Sequence, residues 1–213
     1  MEAAEFVRAN TLLGTPSHVP ELRLHLADEA LPLWQKTEDE LSETGLPPPF
    51  WAFAWAGGQA LARYVLDHPD LVAGRTVLDL GAGSGIAGIA ASLAGARRVV
   101  PSELDAFARA AMAMNAAANA VSLEPCVGDL LDGSADADVI LAGDIFYERP
   151  LAERAFAFLR RAQAAGALVL IGDPKRSYLP ADALEALETY AISVPLALED
   201  SDVKRTTVWR LKP

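Results

Sequence analysis

Val77-Leu78-Asp79-Leu80-Gly81-Ala82-Gly83-Ser84-Gly85-Ile86 joins an apolar run to an acidic residue, three glycines at alternate positions and an alanine-rich segment of helical character. A strand ending in Asp-x-Gly-x-Gly-x-Gly lets a nucleoside cofactor lie against bare backbone, because glycine carries no Cβ and tolerates positive φ. A dinucleotide fingerprint needs its third glycine, or an alanine, three positions after the second. Ile86 occupies that place, and the glycine comes one residue early, at Gly85. The spacing reads as an S-adenosylmethionine loop rather than a pyrophosphate loop, with a ligand-free strand-to-helix turn as the alternative.

Working outward from this loop, strand and helix alternate. Strands are readable at 76–80, 97–101, 122–127, 138–143 and 167–172, and helices near 85–95, 105–119 and 149–164. Apolar strands interleaved with helices predict a parallel sheet covered on both faces. A helix over about 181–188 is expected next, then strands near 189–198 and 204–211 joined at Glu199-Asp200-Ser201-Asp202, a hairpin turn. The reading is an α/β, Rossmann-like, mostly parallel seven-stranded sheet with a C-terminal antiparallel hairpin.

Upstream, residues 2–9 read as a short helix and Glu21-Leu22-Arg23-Leu24-His25-Leu26 as a half-buried strand. After a polar stretch at 35–45, Leu46-Pro47-Pro48-Pro49 must be extended, because proline restricts its predecessor. An aromatic segment, Phe50 to Gly58, leads into a helix from Gln59 to Asp67. Residues 1–50 are therefore expected to be an extension to one domain spanning 51–213.

A chain of 213 residues suffices for one domain with a full hydrophobic core. The formal net charge of −11 and pI of about 4.7 argue against nucleic acid as the main substrate and suit a cationic cofactor and a basic acceptor. Cys126, the only cysteine, excludes an internal disulfide and points to a reducing compartment. His18, His25 and His68 show no metal-ligand spacing and read as surface or packing residues, so no metal is expected. No apolar run reaches the ~20 residues that span a bilayer. The acidic N-terminus has neither a secretory nor a transit character, which predicts a cytoplasmic protein.

Ligands in open α/β sheets bind beyond the carboxyl ends of the strands. Three successive strand ends carry acids here: Glu103, Asp129 and Asp144. Glu103 lies about twenty positions past the glycine loop, where a carboxylate accepts from both ribose hydroxyls. Asp105 sits where a helix N-cap belongs. Asp129 can accept from an exocyclic adenine amine or simply close a turn. Asp79 either holds the loop or faces the cofactor's amino group. Gly81, Gly83, Gly85 and Gly143 complete the expected cofactor set.

Pro48-Pro49-Phe50-Trp51-Ala52-Phe53-Ala54-Trp55-Ala56-Gly57-Gly58-Gln59, the glycine loop, Gly143-Asp144-Ile145-Phe146-Tyr147 and Ile171-Gly172-Asp173-Pro174 together resemble the lysine methyltransferases of the electron transfer flavoprotein β-subunit. The likeness runs from about residue 46 to Thr207-Val208-Trp209. Two positions depart from the family pattern: Ala56 where proline is frequent, and Lys175 where Gly-Asp-Pro is usually followed by glycine. The resemblance implies a class I methyltransferase fold and methyl transfer from S-adenosylmethionine, leaving S-adenosylhomocysteine. The implied acceptor is a lysine ε-amine of that flavoprotein subunit, and a bacterial member is the expected source.

By the same resemblance, Asp144 and Tyr147 form the acid-x-x-aromatic motif of the wider group, with Asp144 orienting the amine. Tyr147 and Phe146 would wall its channel, although ordinary packing is equally open for Phe146. Trp55 would cover the methionine or adenosine end of the donor, and Trp51 would pack or touch the protein substrate. Asp173 and Arg176 would line the substrate rim, or else form a structural turn. Another protein acceptor, such as a ribosomal protein, or a small-molecule amine remains an alternative, as does a binding scaffold without catalysis.

Overall fold

The computed structural model describes residues 2–27, 48–126, 128–194 and 201–212. Four strands run parallel: β3 (Thr76–Leu80), β4 (Arg98–Ser102), β5 (Val139–Gly143) and β6 (Leu168–Asp173). They alternate with α2 (Ala56–Asp67), α3 (Ile86–Leu93), α4 (Ala106–Ala118) and α5 (Arg149–Ala164). β7 (Leu184–Ser193) and β8 (Val203–Leu211) complete the sheet in the order β4-β3-β5-β6-β8-β7, with β8 antiparallel to both neighbours. The chain passes from β3 to β4 on one side, then returns to β5 on the other. That reversal opens a crevice above the carboxyl end of β3, where the glycine loop sits.

Alternation along the parallel strands builds two cores. Leu78, Leu80, Ile140, Ala142, Val169 and Ile171 face α5, meeting Phe158 and Leu159. Val77, Val139, Leu141 and Leu170 face α2 and α3, meeting Leu61, Val65 and Ala87. All five β3 residues are buried, as expected of a strand covered on both sides. Among the described residues, no helix is long and apolar enough to cross a membrane.

Two expectations need correction. The described residues form a six-stranded main sheet, because the segment expected as a strand at 122–127 runs beside β4 without joining it as one. Glu124 and Cys126 donate backbone N–H bonds to Val99 and Pro101 at 2.9 and 3.0 Å, and Ser102 bridges Cys126. Pro125 between them takes the alternate position, whose backbone nitrogen points away from β4, and among the described residues the pairing stops at that one bridge. The helix expected at 181–188 is instead a short 3-10 turn, Ala181–Ala183, followed directly by β7. Its Ala, Leu and Glu content favours helix locally, but a long register with β8, from Leu184↔Leu211 to Ser193↔Val203, overrides that preference. Glu199 and Asp200 of the expected hairpin turn, the polar stretch at 35–45, and Leu46 and Pro47 lie outside the described residues.

The N-terminal segment contributes α1 (Ala3–Asn10) and a small antiparallel pair, β1 (Leu12–Gly14) and β2 (Leu24–Leu26). Val7 buries beside Trp51, Ala108 and Ala111, so α1 rests on α4. Val19, Leu22 and Leu24 bury against Ala62 of α2 and Ile89 of α3. Two buried amides tie this layer to the site. Gln59 accepts from Ser17 Oγ and the His18 N–H, at 3.1 and 3.0 Å. Asn115 accepts from the His25 N–H at 2.6 Å and donates to Ser84 O, in the glycine loop, at 2.8 Å.

Candidate active site

A cleft of about 490 Å³ lies at the strand carboxyl ends, floored by the glycine loop and walled by β4, β5 and the aromatic segment before α2. Gly81 and Gly83 line it with φ of 66° and 51°, a region that side chains strain to reach. Gly85 also has positive φ, 78°, but it does not line the cleft. A Cβ there would stand 2.8 Å from Met112 Cγ. Gly85 thus serves the packing of the α3 start onto α4, contrary to its expected place in the cofactor set.

Asp79 is buried, and its Oδ2 accepts from the N–H of Gly88 in the first turn of α3 at 2.8 Å. Gly85 offers no side chain to cap that helix, so Asp79 does so from the neighbouring strand. Burial pushes its carboxyl up to about 7. Asp79 therefore both holds the loop and lines the cleft.

Glu103 stands at the end of β4 in the cleft wall. Its Oε1 accepts from the N–H groups of Leu104 and Asp105 at 2.7 and 3.0 Å, and its Oε2 from that of Gly83 at 3.0 Å. The carboxylate is thus fixed beside the glycine backbone, 20 residues along the chain. Asp105 caps α4 through the Phe107 N–H, as its position predicted. Asp129 also lines the cleft, with Oδ1 closing a turn onto the Leu131 N–H and Oδ2 paired with Arg154 at 2.9 Å. These two partners, the backbone bond first, hold its carboxyl below the usual range. Asp129 thus closes a turn, one of its two readings, and does so on the cleft wall.

At the opposite end of the cleft, Asp144 follows β5 with φ 51° and a side chain 12% exposed. Its N–H reaches Gly172 O at 2.9 Å, its Oδ2 accepts the Gly57 N–H, and its Oδ1 accepts Nε and Nη2 of Arg176 at 3.0 and 2.8 Å. Such closeness requires glycine. A Cβ on Gly57 would lie 2.1 Å from Gly172 O, and one on Gly143 would lie 3.0 Å from Gly58 N. The start of α2 therefore presses directly onto the ends of β5 and β6. Gly143 itself lines the cleft.

Trp55 sits beside this carboxylate and donates through its indole N–H to Phe50 O at 2.8 Å. The Arg176 guanidinium lies 5.7 Å from its ring centroid. Tyr147, 44% exposed, lines the cleft with its ring 5.5 Å from that of Phe50, and partial burial raises its phenol above the ordinary value. Phe50, Phe53, Ser102 and Leu104 also face the cavity, unforeseen from the chain. The aromatic run was the signal for the first two.

Two proposed substrate residues lie elsewhere. Phe146 is fully buried in the core with Phe158, as ordinary packing would have it, while its neighbour Ile145 lines the cleft. Asp173 is also fully buried beneath the rim: Oδ1 accepts the Arg176 N–H at 2.6 Å, Oδ2 has no hydrogen-bond partner among the described residues, and burial pushes the carboxyl up to about 7. Of that group, Arg176 alone lines the cleft. Trp51 packs in the core under α1. No group of three or more His, Cys, Asp or Glu among the described residues converges to hold a metal ion.

The cleft thus pairs a glycine-floored cradle beside an anchored carboxylate with an aromatic-walled acid. The comparisons with known proteins agree with that plan. The family model for ribosomal protein L11 methyltransferase (PrmA) matches residues 59–172. A solved ribosomal protein L11 methylase from Lactobacillus delbrueckii subsp. bulgaricus superposes with a TM-score of 0.52 at 22% identity, over 80% of this chain and 83% of that one, and so shares the fold. The electron transfer flavoprotein β-subunit lysine methyltransferase of Danio rerio is 37% identical over 96% of this chain and 81% of its own. The human protein of that name is 32% identical over 100% of this chain and 83% of its own. Identity on this scale, over both halves of the cleft and the N-terminal layer, places the chain in the electron transfer flavoprotein β-subunit lysine methyltransferase family.

Proposed function

We propose that this protein methylates lysine ε-amines of a protein, the β-subunit of electron transfer flavoprotein, with S-adenosylmethionine as donor. The observation that carries it is a single cleft lined both by the glycine cradle and by Asp144 with Trp55 and Tyr147. The residues present fit the donor. Gly81 and Gly83 expose bare backbone at positive φ, and the fixed carboxylate of Glu103 suits two vicinal ribose hydroxyls. Asp129 stands on the same wall for the adenine amine, and Trp55 covers the end nearest the acceptor. The bound donor supplies an electrophilic methyl group on a sulfonium sulfur.

Asp144 accepts a hydrogen bond from the incoming amine and holds its nitrogen in line, an orientation whose effective molarity reaches about 10⁵ M in favourable cases. Trp55, Phe50 and Tyr147 form the neck through which an extended alkyl side chain reaches it, excluding water and presenting π faces to a cation. An amine must be neutral to react, and free lysine ionises at about 10.4, so the ammonium proton is lost to water at the cleft mouth. The acidity of the chain, −11 overall, favours a basic partner over nucleic acid.

The test is incubation with donor and the flavoprotein, as isolated β-subunit and as intact heterodimer, read by intact-protein mass. Gains in methylene steps on the β-subunit are expected. No gain on either form, with donor binding demonstrated, excludes this acceptor. The match of the ribosomal L11 methyltransferase model supports a second reading, a ribosomal protein as acceptor, and the same assay on ribosomal proteins distinguishes it.

A further inference from the structure

Taking Asp144 as the group that receives the acceptor amine, as proposed above, we infer that Arg176 is a positioning residue that cancels the carboxylate's field, so that lysine binds there as the neutral nucleophile. A carboxylate alone is a poor partner for a reaction that needs a free amine. Within a few ångströms it stabilises the ammonium and raises the lysine pKa. Orientation by Asp144 would then be offset by a smaller fraction of reactive amine.

The geometry resolves that conflict. Nε and Nη2 of Arg176 both bind one oxygen of Asp144, at 3.0 and 2.8 Å, and the pair is largely enclosed, with side chains 20% and 12% exposed. The pair presents no net charge to an incoming nitrogen, while the carboxylate oxygens keep lone pairs that accept an N–H. The guanidinium itself packs over the Trp55 ring, 5.7 Å from its centroid, which helps to hold that neutralising charge at the acceptor seat. Arginine suits this task because it stays protonated at any working pH.

The placement of Arg176 is built, not incidental. Its backbone N–H is held by Oδ1 of the buried Asp173, and the preceding Lys175 turns the chain at φ 72°. Among the described residues, other ionisable groups around the pair are Asp173 at the end of β6, Lys175 after it, Tyr147, Glu148 and Arg149 after β5, and Asp79 and Glu103 in the cleft wall. The segment from Phe50 to Gly58 contributes none. Asp173 beside the pair and Asp79 in the cleft wall are both pushed up to about 7 by burial, so Asp173→Asn and Asp79→Asn are each needed as controls.

The first measurement is kcat against pH, from about pH 6.5 to about 10, since that profile reports ionisations of the enzyme–substrate complex. Arg176→Gln is expected to move the acid limb upward by about one pH unit or more. The rate near pH 7.5 then falls about tenfold for each unit, and the difference closes at high pH. Arg176→Lys, which keeps the charge, should return the limb toward its wild-type position. Neither Asp173→Asn nor Asp79→Asn should shift the limb. A uniform loss at every pH in Arg176→Gln, an unshifted limb, or a limb that moves with Asp173→Asn or Asp79→Asn overturns the inference.

A second measurement needs no protein acceptor: n-butylamine titrated into the enzyme–S-adenosylhomocysteine complex, followed by tryptophan fluorescence with Trp55 as the reporter in the cleft. Affinity should rise with pH in the wild type and lose or reverse that trend in Arg176→Gln. Failure of the wild type to bind, or equal pH trends in both, overturns the inference whichever protein is the acceptor. Missing methylation of the flavoprotein with the expected butylamine behaviour overturns only the assignment of that acceptor.

Discussion

Asp144 carries the greatest demand of any residue in the cleft, since it adopts a φ of 51°, receives the Gly57 N–H and pairs with Arg176. Asp144→Asn keeps the shape but replaces one acceptor oxygen with a donor amide and removes the charge. Turnover should fall by roughly a hundredfold or more with circular dichroism unchanged, since small misplacements of a reacting atom cost on that order. Near-wild-type turnover would exclude the assigned role. Gly57 provides a sharper structural test. Alanine inside a helix normally gains about 1 kcal/mol over glycine. Here its Cβ would meet Gly172 O at 2.1 Å, a backbone atom that cannot swing away. Overpacking of this kind costs about 1–3 kcal/mol, so Gly57→Ala should lower the urea midpoint rather than raise it. At this scale Glu103 was legible because a fixed offset from a glycine loop has one geometric meaning. For Phe146 and Asp173 the packing and turn alternatives are the ones the structure shows, and sequence could not choose them, since a motif gives residue types in order but not which of two adjacent side chains turns inward.

Elements extend the same logic. α3 begins without a side-chain cap of its own, and Asp79 supplies the acceptor from inside the sheet. Its carboxyl is held near 7 in the folded protein against 3.8 as the model-compound reference. Between these values the native state binds more protons than the unfolded chain, so stability falls as pH rises through that window. The slope for one such group is about 1.4 kcal/mol per pH unit where the two states differ by a full proton. Asp79→Asn keeps an oxygen for Gly88 and cannot ionise, so its denaturant midpoint should decline less between about pH 4 and pH 7 than the wild type's. Equal slopes in both proteins would assign the pH dependence to other groups. The parallel strands and their helices were readable because burial on both faces leaves unbroken apolar runs. Of β7 only the second half, from residue 189, was read as strand, because the alanine, leucine and glutamate side chains of its first half speak for a helix while the nine-residue partner β8 decides for a strand.

The whole molecule joins a methyltransferase sheet to an N-terminal layer that reaches the glycine loop through Asn115 and the start of α2 through Gln59. That layer could be anticipated as an extension but not as a clamp, since the tying residues lie in other elements, 90 and 41 positions from their N-terminal partners. Leu22 is fully buried between α2 and α3. Leu22→Ala should cost about 2–5 kcal/mol in denaturant unfolding. If the layer and the sheet unfold together, fluorescence and far-UV transitions should stay coincident in that variant, whereas separated transitions would show two independent units.

β8 follows β7 along the chain yet lies between β7 and β6 in the sheet. During synthesis, therefore, β7 emerges with no partner, and β6 shows an open flank until β8 has left the ribosome. Until β8 arrives the sheet is half closed, with hydrogen-bonding groups available to any neighbouring strand. Closing this sheet is thus an insertion between two strands rather than an addition at an edge, and the time β8 takes to find its slot sets how long both flanks stay open.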